Sequence, residues 1–187
     1  MSNPVDAQLP RPLTGKDRPP RRALIAALGL AVAAVAAVIV VASRANSDQP
    51  VTLQSLSNPS ASSPDCRAFT AALPTSFGSF HQVSLTQPAP ESAAAWRTGP
   101  HSAPVVVRCG LERPPGFVMG SPLQVVDEVQ WFQTDDRAHG SPWYAVDRRV
   151  YIALTLPPQD GPTPIQELSE IIAKTLPAVP IHPAPAQ

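Results

Sequence analysis

The chain has 187 residues, with 14 basic against 14 acidic side chains and a formal net charge of +0 at pH 7. That length holds one ordinary domain. Beyond residue 44 there are eight basic and twelve acidic residues, a net charge of −4, which excludes a nucleic-acid-binding face as the main business of the protein.

Residues 1–22 (MSNPVDAQLPRPLTGKDRPPRR) carry five prolines, five basic residues and two acidic ones. They show no hydrophobic period and read as a disordered, basic, cytoplasmic tail. Residues 23–42 (ALIAALGLAVAAVAAVIVVA) hold no charged or polar side chain. As a helix rising about 1.5 Å per residue they span about 30 Å, the thickness of a bilayer's hydrocarbon. Arg21 and Arg22 precede the run, with Lys16 and Arg18 just before, and only Arg44 follows closely. The positive-inside rule then puts the N-terminus in the cytoplasm and the rest outside. The expected partner of 23–42 is the lipid bilayer. A cleaved, secreted form is the alternative, with Ser43-Arg44-Ala45 as a small-x-small site. The apolar run is longer than a signal peptide's usual 7–15 residues, and the arginine fits such a site poorly.

Residues 43–63 are rich in Ser, Asn and Pro and read as a linker. The folded domain is expected over 64–177, with a proline-rich tail over 178–187. Ser63-Pro64-Asp65 places a capping serine, a proline and an acid at a helix start. Cys66, Phe69 and Leu73 share one face of that helix, and Pro74 ends it. His81–Thr86 reads as a weak strand and Pro104–Cys109 as a strong one. Leu123–Gln133 alternates on both faces. Trp143–Val146 leads through Asp147-Arg148 into Arg149–Leu156, a hairpin whose second strand puts Val150, Ile152, Leu154 and Leu156 on one face. Thr163-Pro164-Ile165-Gln166 matches a capping box, and Ile165, Leu168, Ile171, Ile172 and Leu176 form the stripe of a final helix. The fold class expected is α+β: a small two-layer domain, a largely antiparallel sheet flanked by two helices, after one N-terminal transmembrane helix.

Outside the membrane two cysteines usually pair. A Cys66–Cys109 bridge closes a loop of about 44 residues and contributes roughly 4 kcal/mol in the chain-entropy model. The competing reading is a metal or catalytic thiol, but a separation of 43 lacks the C-x-x-C spacing of zinc sites. Gly110 is expected to take a turn conformation that a side chain would hinder.

The order of short motifs is specific. Cys66 is followed by Leu73-Pro74, then Trp96 with Gly99-Pro100, then Arg108-Cys109-Gly110 with Pro114. Val129-Gln130-Trp131, the run Arg148–Pro157 (RRVYIALTLP) and Thr175-Leu176-Pro177 complete it. Over about 20–177 the chain resembles domain of unknown function 3515, single-pass extracytoplasmic proteins from actinobacteria. It departs from that pattern at Trp96–Pro100, where a shorter W-G-x-P is expected. The resemblance implies a cell-envelope setting and no catalytic residue to carry over.

No G-x-S-x-G, H-E-x-x-H, P-loop or G-x-G-x-x-G is present. His81, His101, His139 and His182 lack metal-ligand spacing, and Asp135-Asp136-Arg137 reads as a polar turn with too few oxygens for calcium. Asp127 and Glu128, neighbours in one expected strand, would point to opposite faces and not act as an acid/base pair. No cofactor, metal or catalytic residue is expected. Candidate binding residues are the aromatics Trp96, Trp131, Trp143 and Tyr144, also expected to supply core, and the arginines Arg108 and Arg148. Arg108 is expected on a central strand, paired with Asp127, Glu128 or Asp147, or else binding a carboxylate or phosphate. The leading reading is a non-enzymatic, membrane-anchored envelope domain that binds an envelope protein or cell-wall polymer. The alternative is an envelope hydrolase with an unfamiliar acidic site.

Overall fold

The computed structural model describes residues 21–47, 49–135, 142–157 and 161–186. Residues 1–20 of the basic tail, together with Asp136, Arg137, His139 and Gly140, lie outside the described residues. The chain divides into two compact units, Met1–Arg44 and Ala45–Gln187.

Helix α1 (Arg21–Ser47) has 27 residues and includes the whole apolar run. Its described side chains are those of 21–22 and 25–38. Ile25, Leu28, Leu30, Val32, Val35 and Val38 are all exposed. Taken over these described residues alone, no helix is long and apolar enough to cross a membrane.

The second unit runs α2 (Pro64–Ala71), β1 (Ser76–Phe77), β2 (Phe80–Val83), β3 (Ala93–Arg97), β4 (Val105–Leu111), β5 (Gln124–Val126), β6 (Val129–Gln133), β7 (Trp143–Ala145), β8 (Tyr151–Thr155) and α3 (Thr163–Thr175). The strands form one 8-stranded sheet in the order β1-β2-β3-β4-β8-β7-β6-β5. Every pairing is antiparallel. The sheet is thus two up-and-down meanders joined at their last strands, β4 and β8. The class is α+β, mostly sheet.

Alternation decides which side of the sheet each residue faces. Val105, Val107 and Cys109 on β4, Ile152 and Leu154 on β8, and Trp131 on β6 belong to one core, with Phe69 of α2 and Leu168 and Ile172 of α3. Both short helices therefore lie on the same face. The Cys66–Cys109 disulfide, Cα–Cα 5.6 Å, pins α2 to the central strand from that side. Ser63 caps α2 by accepting from the Cys66 amide at 3.2 Å.

The opposite face is covered by the ends of the unit. Val51 bridges Leu85 in parallel and is buried with Ala95 and Val106. At the other end Val118 bridges Ala184, and Phe117, Phe132 and Val146 pack with Ile181 nearby. The segments read from sequence as linker and tail thus supply both caps of this face. Between the two caps the sheet carries the partly exposed Arg108, Tyr144 and Thr155.

Three local expectations change. Leu123–Gln133 is a hairpin, not one strand: Asp127 (φ 43) and Glu128 (φ 66) form the two-residue turn between β5 and β6. A primed turn needs left-handed backbone at both positions, a geometry whose usual sign is Asn-Gly or Asp-Gly, so it left no signature here. Helix α3 starts one residue earlier than its expected capping box. Pro162 is the N-cap and has no side-chain cap bond, and Thr163 lies inside the first turn. Gly110 lies within β4 as a bulge (φ 86) and not in a terminal turn. A Cβ there would stand 2.3 Å from the Ala61 amide nitrogen, so backbone approaches where only glycine leaves room.

Candidate functional site

The bulge at Gly110 resets the alternation of β4. Val106 and Arg108 face away from the helices. After the extra residue, Leu111 faces that way too, opposite Tyr151. Arg108 pairs across the ladder with Ala153, and Ala153 pairs with Tyr144. The row across three strands is Arg108, Ala153, Tyr144: long, short, long. The short side chain of Ala153 leaves a notch between the two large ones, and its methyl is almost wholly buried at the bottom. In the adjoining row Val106 stands opposite Thr155.

This row is the floor of a cleft of about 410 Å³, within the range of small-molecule sites. One wall is the extended segment with Thr52, Leu53 and Leu56; the other holds Arg113, Pro115 and Pro142. The lining is largely apolar. The Thr52 hydroxyl is hydrogen-bonded to that of Thr86 at 2.9 Å, and Ser57 donates to Glu112 at 2.8 Å. Its charged groups are Arg108, Arg113 and Glu112.

Arg108 is half-buried. Burial lowers its pKa because desolvation penalises the charged form, and the Tyr144 phenol works weakly in the opposite sense. None of the acids expected to pair with it does so. Asp147 is taken by Arg148, and Asp127 and Glu128 sit in the exposed β5–β6 turn. A neighbouring recess of about 570 Å³ shares Pro115, Pro142 and Tyr144 with the cleft and has Asp135 on its rim.

Arg148 is buried and structural. Its Nη1 lies 2.8 Å from Asp147 Oδ1, off the line of a hydrogen bond, and donates to the Asp147 carbonyl at 2.9 Å. Nη2 donates to the Glu128 carbonyl at 3.2 Å, while Asp147 Oδ2 accepts from the Gln130 amide at 3.1 Å. The pair thereby ties the β5–β6 hairpin to the turn before β8. Trp96 and Trp131 are fully buried beneath the helices. Their indoles donate to the Pro74 carbonyl at 3.0 Å and to Ser169 at 2.9 Å, so neither presents a ring for stacking. Trp143 is half-buried on that same helix-facing side. Of the six candidate binding residues, the structure brings together Arg108 and Tyr144.

No pattern in the sequence marks Arg113, Ala153 or the 52–57 segment as site residues. The sequence does carry one signal for the face itself: if Cys109 reaches a helix, Arg108 points the other way.

The geometry defines a class, a small disulfide-pinned sheet domain with a ligand-sized cleft on its helix-free face. The family model described as Protein of unknown function (DUF3515) matches residues 28–181, and the chain belongs to that family. No curated protein and no solved structure matches it.

Proposed function

We propose that this protein is a membrane-anchored binding domain of the cell envelope, with its N-terminus inside, one helix through the bilayer and the sheet unit outside. The observation that carries the binding reading is the cleft on the helix-free face, with a half-buried guanidinium on its floor. Two arginines beside a single glutamate suit retention of an anion.

The anchor is supported by the 20-residue run without a charge, flanked by arginines on its N-terminal side, and by its exposed apolar side chains, which suit lipid better than water. The disulfide favours an oxidising compartment.

The test is topological. Protease added to intact cells expressing the full chain, tagged at each end, is expected to remove the C-terminal tag and spare the N-terminal one. An N-terminal tag still attached to the membrane band also shows that the apolar run is retained. A protected C-terminal tag in cells whose other surface proteins are cut sinks the reading.

A further inference from the structure

We infer that the cleft binds a small amphiphile: one oxyanion, held by the Arg108 guanidinium with Arg113 beside it, carried on an apolar chain that lies along the notch at Ala153. The inference rests on the cleft being a binding site.

Three features argue for this chemistry. The first is charge. Arg108 and Arg113 against Glu112 leave a net +1 in the lining, which favours an anionic head group. Arg108 lies where its charge is partly stripped of water, and a bound oxyanion returns what burial removes. A guanidinium fork meets a carboxylate or phosphate with two parallel bonds.

The second is the lining. Leu53, Leu56, Val106, Leu111 and Pro115 are among its apolar groups, and two of its hydroxyls are already engaged, Thr52 with Thr86 and Ser57 with Glu112. The floor strands β4, β8 and β7 are interior to the sheet, so their backbone groups are used in the ladder. An extended peptide laid there would leave its own N–H and C=O groups unpaired, at about 1–3 kcal/mol for each one desolvated. An alkyl or prenyl chain has none to lose.

The third is size. A cleft of about 410 Å³ holds roughly 14 groups the size of a water molecule, close to the atom count of a medium-length fatty acid. The shared chemistry is a terminal oxyanion on an apolar chain. A free carboxylate and a phosphate monoester are its two sources.

The experiment uses the full chain in zwitterionic lipid nanodiscs. Three probes carry a diazirine near the chain end: dodecanoate, decyl phosphate and dodecanol. After irradiation, labelled positions are mapped by mass spectrometry. At least one anionic probe is expected to label residues 52–57 or 142–157 about tenfold more than the alcohol, the ratio expected when a hydrogen bond to a charged group is lost. The anion that saturates at lower concentration identifies the source. In Arg108→Gln the anionic probe should fall to the alcohol's level, and in Ala153→Leu labelling of 142–157 should disappear. The anion-to-alcohol ratio in the unaltered protein stands whether or not either variant folds. Equal labelling by alcohol and anion overturns the inference, as does label confined to 21–47 or an anion signal indifferent to Arg108→Gln. Such a result leaves the envelope reading to the protease experiment, which does not involve the cleft.

Discussion

Removing the bridge by changing Cys66 and Cys109 together to alanine isolates one term of the domain's stability. The two residues are 43 apart, and closing a loop of that length restricts the unfolded chain by roughly 4 kcal/mol. A unit of this size loses roughly 3–4 °C of Tm per kcal/mol, so the midpoint should fall by roughly 12–16 °C. Near-UV circular dichroism is the right probe. Trp96 and Trp131 are fixed in the core that the bridge clamps, and α1 holds no aromatic residue, so the signal reports the sheet unit alone. Reductant should lower the midpoint of the unaltered protein by a similar amount and leave the double variant unmoved. A fall of less than about 3 °C would refute the reasoning, because it would mean the unfolded chain was already restricted or the bridge was not formed.

Arg148→Leu should destabilise the domain by about 3–5 kcal/mol, since it strands the buried Asp147 carboxylate. The exposed neighbour change Arg149→Ala should stay within about 0.5 kcal/mol in the same denaturant titration. Arg108→Met should leave the Tm unchanged or raise it, because it removes a partly desolvated charge with no ion-pair partner among the described residues; a clear fall would reassign Arg108 to structure. Tyr151 is expected to make the fold alkali-sensitive. Burial raises its pKa, with Arg113 opposing, so the neutral phenol's contribution is complete below the unfolded value near 10 and is lost as pH rises through the higher folded value. Melts between pH 9 and 11 should show this fall, and Tyr151→Phe should flatten it.

Strongly periodic segments were legible in the sequence. The run 105–107 and the alternation of 150–156 announce β4 and β8, and the stripe Ile165–Leu176 announces α3. What failed had a local cause. β3 is Ala-Ala-Ala-Trp-Arg, and alanine has no preference for strands; pairing with β4 imposes the conformation. The hairpin at Asp127–Glu128 is hidden because neither turn residue is glycine or asparagine. The cleft depends on the smallest residue in its floor, Ala153, and on walls more than 50 positions apart in sequence, and no pattern along the chain brings those together. Arg108 stands out in the sequence as a charge on an apolar strand. Its neighbours then decided its fate, since the nearest buried acid, Asp147, already belongs to Arg148.

The sheet's two meanders meet only at β4 and β8, where Val106 faces Thr155 and Cys109 faces Ile152. Within each meander, strands find their neighbours along short stretches of chain. Among the strand pairings the seam alone joins residues 40 or more positions apart, so of the ladders it carries the largest ordering entropy. The disulfide lies wholly within the first half and does not shorten that search. Arg108 comes from one half, Ala153 and Tyr144 from the other. The pocket therefore does not exist in either half by itself, and anything that occupies it acts as a clasp across the longest-range ladder of the sheet.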